Sequence, residues 1–275
     1  MCFRFALAAL VLAAMFSRQI AGAGRNEWRA GASLGLLIGG GFALQAVGQV
    51  YTTPSKSAFI TGLTTPLVPL VAFVLFRVRP SIENMLGVCL ASIGGALILM
   101  PRGTTGVNIG DLWTLSCTLL FALHITLMSS YAPRFDVRAL TVLQIGVATG
   151  VFLAVWLTIR LCVEVLGAEV LPPAVAREAM ALGWTWRIVW QLVYLALIGT
   201  VTTFLLWTWG QARMSATHAA IIFSLEPVFA TLFAIATRGM NEWIGWRAGF
   251  GAALILAGII VSELRWSEQR SNAKR

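Results

Sequence analysis

A single carboxylate lies deep within an otherwise apolar stretch of the sequence. Glu226 lies nine residues past Thr217, which is about 13 Å along a helix and near the middle of a bilayer. Acids inside a membrane are costly, and they usually face a cavity or a partner. Two interpretations stay open: a site that couples protons or binds an ammonium group, or a structural acid hydrogen-bonded beside Pro227, which kinks the helix.

Four further side chains inside apolar stretches could take part in binding. His124 could change its charge near neutral pH, although a neutral, hydrogen-bonded core histidine is the more common role. Gln45, Gln144 and Trp207 could line a cavity, and the alternative for both glutamines is hydrogen bonding between helices. Together with Glu226, these residues are the candidate substrate-binding or coupling groups.

The sequence lacks the motifs that hold a cofactor, a metal ion or a covalent catalyst. It has no HExxH pattern, no Walker or dinucleotide-binding loop, no nucleophile elbow and no paired carboxylates. The four cysteines stand alone in or beside apolar runs. We therefore predict no metal site, no cofactor and no enzymatic activity; an intramembrane enzyme is an alternative for which no catalytic group is visible.

The composition excludes a soluble protein. Of the 275 residues, 58% are hydrophobic and 11% are charged, whereas a soluble domain carries about 25% charged residues. A net charge of +9 would suggest nucleic acid in a soluble protein, but basic residues of membrane proteins gather in cytoplasmic loops. We expect the lipid bilayer as the surroundings and no nucleic-acid partner.

Nine apolar segments lie between charge clusters and Gly/Pro turns. A helix needs about 20 residues to cross the hydrocarbon core, and all segments but the first are close to that length. Because they are continuously apolar and do not alternate, they predict helices rather than barrel strands. The sequence predicts an all-α polytopic membrane protein with spans at 1–16, 30–51, 57–76, 82–100, 111–131, 139–161, 189–210, 218–237 and 244–263.

Glycines recur at helical spacing on two of these spans. Gly31, Gly35 and Gly39 are four residues apart, and so are Gly245 and Gly249. Faces of small residues let two helix backbones approach closely in a membrane. We therefore expect these two faces to pack against neighbouring helices.

The basic residues predict the orientation of the chain. Twelve of them fall in the loops 17–29, 77–81, 132–138 and 211–217 and in the tail after 263, against seven on the opposite side. Since the side richer in Lys and Arg is usually cytoplasmic, we expect the C-terminus to be cytoplasmic.

The chain matches itself without a gap at an offset of 162 residues. The pair Gly48-Gln49 falls on Gly210-Gln211, and apolar residues of three spans coincide as well. The offset carries the second span onto the seventh, five helices later, so equivalent helices cross the membrane in opposite directions. Such an inverted repeat is typical of secondary transporters.

The repeat divides the chain into four parts. Residues 1–101 form a first repeat of four helices, 102–110 a linker, 111–264 a second repeat of five helices, and 265–275 a cytoplasmic tail. Because the first repeat is one helix short, we expect a helix to be missing before Met1. A signal peptide that ends near Ala23 is the alternative interpretation of the N-terminus.

Several stretches resemble the EamA-type members of the drug/metabolite transporter superfamily. The segment LQAVGQVYTTPSKSAFITGL at 44–63 is similar to the junction of that family's third and fourth helices. GDL at 110–112, ALHI at 122–125 and YAPR at 131–134 resemble the start of its second half, and LEPVF at 225–229 and GAALILAG at 251–258 its last two helices. The resemblance covers nearly the whole chain and implies ten helices in two inverted five-helix repeats, of which this chain shows nine.

The resemblance also implies a function. Members of the family carry small organic molecules such as amino acids, metabolites and drugs, so we expect a secondary transporter, an exporter of the bacterial inner membrane, working by alternating access. A homodimer is left open. The alternative is a non-transporting membrane scaffold, or a truncated and inactive transporter, because one helix is absent.

Overall fold

The computed structural model describes residues 1–99, 107–167, 169, 183–238 and 246–272, and these residues form helices and turns with no strand among them. A π-helix at Leu197–Thr202 separates α9 from α10. The helices are α1 Cys2–Met15, α2 Ser17–Gly22, α3 Arg25–Tyr51, α4 Pro54–Gly62, α5 Thr64–Phe76, α6 Ile82–Leu99, α7 Ile109–Tyr131, α8 Val137–Leu166, α9 Trp186–Ala196, α10 Thr203–Gln211, α11 Ala216–Phe223, α12 Glu226–Arg238 and α13 Trp246–Asn272.

The predicted all-α polytopic architecture is confirmed. Within the described residues, five stretches are long and apolar enough to cross a bilayer: Arg25–Tyr51, Lys56–Phe76, Ile109–Tyr131, Val137–Leu166 and Trp186–Gln211. Shorter apolar helices occupy the four other predicted spans, at Cys2–Met15, Ile82–Ile98, Ala216–Ala230 and Gly249–Ser262. Most of the predicted tail is helical, because α13 continues to Asn272. Much of the predicted linker at 102–110 lies outside the described residues.

The helices assemble into two compact units. Unit A consists of Met1–Val50 and Leu127–Arg213, and unit B consists of Tyr51–Thr126 and Met214–Arg275. Each unit therefore draws residues from both of the sequence repeats. In each of them, helices that are distant in the sequence pack through a line of glycines.

In unit A, the first glycine face packs α3 against α8, as the sequence predicts. A Cβ atom on Gly35 would lie 2.6 Å from the carbonyl oxygen of Gln144, and one on Gly39 would lie 3.0 Å from the Cα of Ala148. Gly31 likewise faces the side chain of Leu143. Hydrocarbon chains are as apolar as leucine, so this packing rests on close van der Waals contact between the backbones.

A cluster of phenylalanines joins four helices of unit A. Phe5 of α1 is fully buried, and its ring centroid lies 4.7 Å from that of Phe152 on α8. The rings of Phe42 on α3 and Phe204 on α10 lie 6.0 and 6.3 Å away. Tilted and edge-on arrangements at these distances add attraction beyond the burial of area. The short helix α1 is thus held by its aromatic side chain.

In unit B, α6 and α13 pack antiparallel through glycines seven residues apart. A Cβ atom on Gly258 would lie 2.7 Å from the carbonyl oxygen of Gly87, and one on Gly251 would lie 2.6 Å from that of Gly94. Two backbones in such contact leave no room for a methyl group. Buried Val88 and Ala91 of α6 meet Ile221 of α11 next to this seam.

The second glycine face differs from the sequence prediction. Gly245 lies outside the described residues, and Gly249 is exposed. The glycines of α13 that contact α6 are Gly251 and Gly258, which stand seven rather than four residues apart. Because the apolar run continues around the helix, its pattern did not reveal which glycines face the partner.

The seam of unit B gives a matched pair of substitutions on α6. We expect Gly94→Ala to lower the free energy of unfolding by about 1–3 kcal/mol, because the new methyl group would clash with the backbone of Gly251. Gly95→Ala meets no atom within 4 Å, so it should leave the stability unchanged or raise it by up to about 1 kcal/mol. Unfolding of both variants in mixed micelles measures the difference, and equal effects would contradict this packing.

Candidate functional site

Two helices of unit B are interrupted within the membrane-spanning length. The first begins at α4, where the Thr53 hydroxyl accepts a hydrogen bond from the amide of Lys56, and Pro54 takes the first helical position. It breaks after Gly62, where Leu63 turns (φ −65°, ψ −8°), and continues as α5. The break places irregular backbone inside the apolar run.

Hydroxyl groups surround this interruption. Thr64 donates a hydrogen bond to the carbonyl of Thr61 at 2.7 Å, and Thr61 donates to the carbonyl of Ser57 at 2.9 Å. Carbonyls that lose their regular amide partner need another donor where water is absent. Thr64 supplies such a donor to the carbonyl of Thr61 at the break.

The second interrupted helix also has a hydroxyl cap at its start and a turn within its length. The Ser215 hydroxyl accepts a hydrogen bond from the amide of His218 at the start of α11. The helix breaks at Ser224, which also has φ −65° and ψ −8°, and whose hydroxyl donates to the carbonyl of Ile221. The chain resumes as α12 with Glu226 in its first turn.

The two interruptions occupy equivalent positions in the sequence repeat. At the offset of 162, the capping residue Thr53 corresponds to Ser215, and Thr64, the first residue of α5, corresponds to Glu226, the first of α12. Interrupted segments at corresponding positions of two halves are the best structural indicator of a transporter's binding site. We therefore take the breaks as the centre of the candidate site.

The two interrupted helices also contact each other. The hydroxyl of Thr65, at the start of α5 and 5% exposed, donates to the carbonyl of Ala220 on α11 at 3.3 Å. The second half of one helix thus packs against the first half of the other. This arrangement brings both breaks into one region of unit B.

Glu226 is a charged group at the second break. It lies in the first turn of α12, where the positive end of the helix dipole favours a carboxylate. The residue is exposed rather than packed in the core, and its carboxylate has no hydrogen-bond or ion-pair partner among the described residues. An acid at this depth without a protein partner is available to a proton or to a bound cation.

His124 lies elsewhere in unit B. It is fully buried in α7, in a helix that also buries the hydroxyl of Thr118, which donates to the carbonyl of Ile60 on α4. This surrounding fits a core histidine as well as a pH-dependent one. In the described part of the chain, no three His, Cys, Asp or Glu residues lie close enough to bind a metal ion.

The remaining candidates belong to unit A. Gln144 is fully buried, and its Nε2 donates to the hydroxyl of Thr208 at 3.1 Å, which links α8 to α10. Trp207, next to Thr208 in the sequence, is half-buried, and its Nε1 donates to the Oε1 of Gln211 at 2.5 Å. Gln45 is half-buried on α3. The structure therefore places Gln144 at the contact between α8 and α10, where it makes the hydrogen bond between helices that was its alternative role. The printed hydrogen bond of Trp207 stays within its own stretch of α10.

Sequence reasoning missed an ion pair in unit B. The Nζ of Lys56 lies 2.5 Å from the Oδ2 of Asp111, and only 15% and 8% of the two side chains are exposed. The hydroxyl of Thr52 and the amide of Asn108 also donate to the Asp111 carboxylate, at 2.8 and 2.9 Å. Both charges lie at the ends of apolar segments, and nothing in the sequence indicated that residues so far apart would meet.

A half-buried cation in unit A was also missed. Arg4 donates from Nε to the hydroxyl of Thr200 at 2.7 Å and from Nη2 to the carbonyl of Gly199 at 2.8 Å. Both partners lie in the π-helix, whose backbone hydrogen bonds span five residues instead of four. The only signal available was a single arginine inside an apolar run.

Comparisons with known proteins indicate the family. A model of the EamA-like transporter family matches residues 1–100 and 108–264. An uncharacterized transporter of Archaeoglobus fulgidus is 28% identical over 87% of this chain and 70% of its own length. A second one from the same organism is 22% identical over 94% of this chain and 85% of its own.

A solved structure shows the same fold. This crystal structure aligns with 96% of this chain and 85% of its own chain, with a TM-score of 0.73 and 17% sequence identity. The resemblance seen in the sequence is thereby confirmed, and the family points to transport rather than to catalysis. The chain belongs to the EamA-like transporter family and is a multi-pass membrane transporter.

Proposed function

We propose that this protein is a secondary transporter that exports small organic solutes, such as amino acids, metabolites or drugs, across the inner membrane by alternating access. In this mechanism the two inverted repeats rock about a binding site near the middle of the bilayer. The family supports transport as such. The observation that supports a substrate site is the pair of interrupted helices at equivalent repeat positions in unit B.

Glu226 gives this site a way to couple two movements. Its carboxylate can hold a proton or pair with a cationic group of the substrate, but one group excludes the other. Release of the proton on one side of the membrane would then permit the cationic substrate to bind. On the other side, protonation of Glu226 would release the substrate. Such exchange needs an acid that no protein cation occupies, and among the described residues Glu226 has none.

The threonines of the first break would complete the site. Thr64 and Thr65 stand where α5 resumes, and hydroxyls both donate and accept hydrogen bonds. Their hydrogen bonds to Thr61 and Ala220 hold the broken backbone in place. A polar solute would find hydroxyls from one break and a carboxylate from the other.

Transport is the first expectation to test. The purified chain in proteoliposomes should catalyse flux of at least one solute from a panel of amino acids, metabolites and cationic drugs, and a pH gradient should accelerate it. Radiolabelled uptake measures the flux. Correctly inserted, folded protein that moves no member of the panel would contradict the proposal and favour the scaffold.

Glu226→Gln tests the coupling group. We expect flux to fall about tenfold or more, because one charge-assisted contact of about 1.5–3 kcal/mol is lost, while thermal unfolding remains close to that of the unchanged protein. Glu164→Gln makes the same change at an exposed position in the last turn of α8 and should leave flux unchanged. If Glu226→Gln prevents folding instead, the acid is structural.

The charge distribution of the loops supports a cytoplasmic C-terminus. A green fluorescent protein fused after Arg275 should fluoresce in cells, and alkaline phosphatase fused at the same position should be inactive, because each reporter folds on one side only. Twelve basic residues on the C-terminal side against seven on the other produce this bias. The opposite reporter pattern would reverse the proposed orientation.

A further inference from the structure

A cavity of about 760 Å³ opens on unit A where α8 begins and α10 ends. Its rim carries Arg138, in the first turn of α8, and Arg213, just beyond α10. Its wall is formed by apolar side chains, among them Leu205 and Leu206 of α10. The transport site proposed above lies in unit B, so this cavity has no assigned role.

Aromatic rings orient both guanidinium groups at the rim. The Arg213 guanidinium lies 4.2 Å from the ring centroid of Trp209, and its Nη1 donates to the Trp209 carbonyl at 2.7 Å. The Arg138 guanidinium lies 6.0 Å from the ring centroid of Phe16. Stacking on an aromatic face leaves the edge of a guanidinium, with its N–H donors, free to bind an anion.

Neither arginine is neutralised within the described part of the chain. Asp136 also lines the cavity, but its carboxylate accepts hydrogen bonds from the amides of Arg138 and Ala139, at 2.7 and 3.1 Å, and so caps α8. Glu27 accepts from the amide of Asp136 at 3.1 Å and does not line the cavity. The two guanidinium groups are both exposed and form no ion pair with a described residue.

The cavity changes from charged to apolar over about two helix turns, from Arg213 to Leu206. Leu206 is 62% exposed and Trp209 is 53% exposed, although both lie in a helix apolar enough to span a bilayer. Tryptophan near the end of a span marks the level of lipid headgroups. A ligand that fits this surface needs an anionic end at the rim and hydrocarbon below it.

We propose that this cavity binds an anionic phospholipid, whose headgroup phosphate pairs with Arg138 and Arg213 and whose acyl chain lies along Leu205 and Leu206. Basic cavities between membrane helices recognise such headgroups through charge and hydrogen bonding. A soluble phosphate ester would satisfy the arginines but leave the apolar wall uncovered. The binding site is distinct from the substrate site and does not depend on the direction or the substrate of transport.

Native mass spectrometry of the full chain in detergent, titrated with defined lipids, tests this proposal. Phosphatidylglycerol should bind more tightly than phosphatidylcholine, and glycerol 3-phosphate should not displace it. Arg138→Gln and Arg213→Gln should each weaken phosphatidylglycerol binding about fivefold. Arg77→Gln and Arg79→Gln remove the same charge from exposed positions in unit B and serve as matched controls.

The first comparison uses the unchanged protein, so it remains valid if a variant folds poorly. Equal binding of phosphatidylglycerol and phosphatidylcholine would overturn the proposal. An equal loss in the control variants would also overturn it, because the attraction would then come from net charge alone. Displacement by glycerol 3-phosphate would assign the cavity to a soluble anion instead of a lipid.

Discussion

The requirement that every buried backbone group find a hydrogen-bond partner without water governs this structure. It makes all of the described membrane segments helical, and it explains why the π-helix and the two breaks of unit B carry side-chain hydroxyls. In the π-helix and just after it, Thr200, Thr202 and Thr203 donate to carbonyls five residues back. At the two breaks of unit B, the hydroxyls of Thr64 and Ser224 donate to carbonyls three residues back. At these three places, side-chain hydroxyls supply donors to the carbonyls of irregular backbone.

A second constraint concerns how such helices hold together. Lipid tails are as apolar as the side chains, so no hydrophobic effect drives the helices together. Their association depends on close packing and on a few polar contacts. Unit A meets this need with the glycines of α3 against α8, and unit B with those of α6 against α13. The hydrogen bond from Gln144 to Thr208 adds a polar link between α8 and α10.

Charged side chains of the described helices include both paired and unpaired groups. Lys56 and Asp111 neutralise each other, and Arg4 is held by a hydroxyl and a carbonyl of the π-helix. Both arrangements lower the cost of a charge in an apolar environment. Glu226 is exposed and has no such partner among the described residues. This state of Glu226, beside a broken helix, is the basis on which we propose it as a binding group.

The sequence by itself determined the class of protein, because length, low charge and continuous apolar runs leave few other possibilities. It also located the spans, the packing face on α3, the family and the unusual position of Glu226. Only the tertiary structure decided that Gly251 and Gly258 form the second seam, that Lys56 pairs with Asp111, and that two spans are interrupted. The physical reason is that a membrane helix is apolar on every side. Its sequence lacks the polar face that marks orientation in a soluble helix, so its contacts are fixed by the shapes of neighbouring helices.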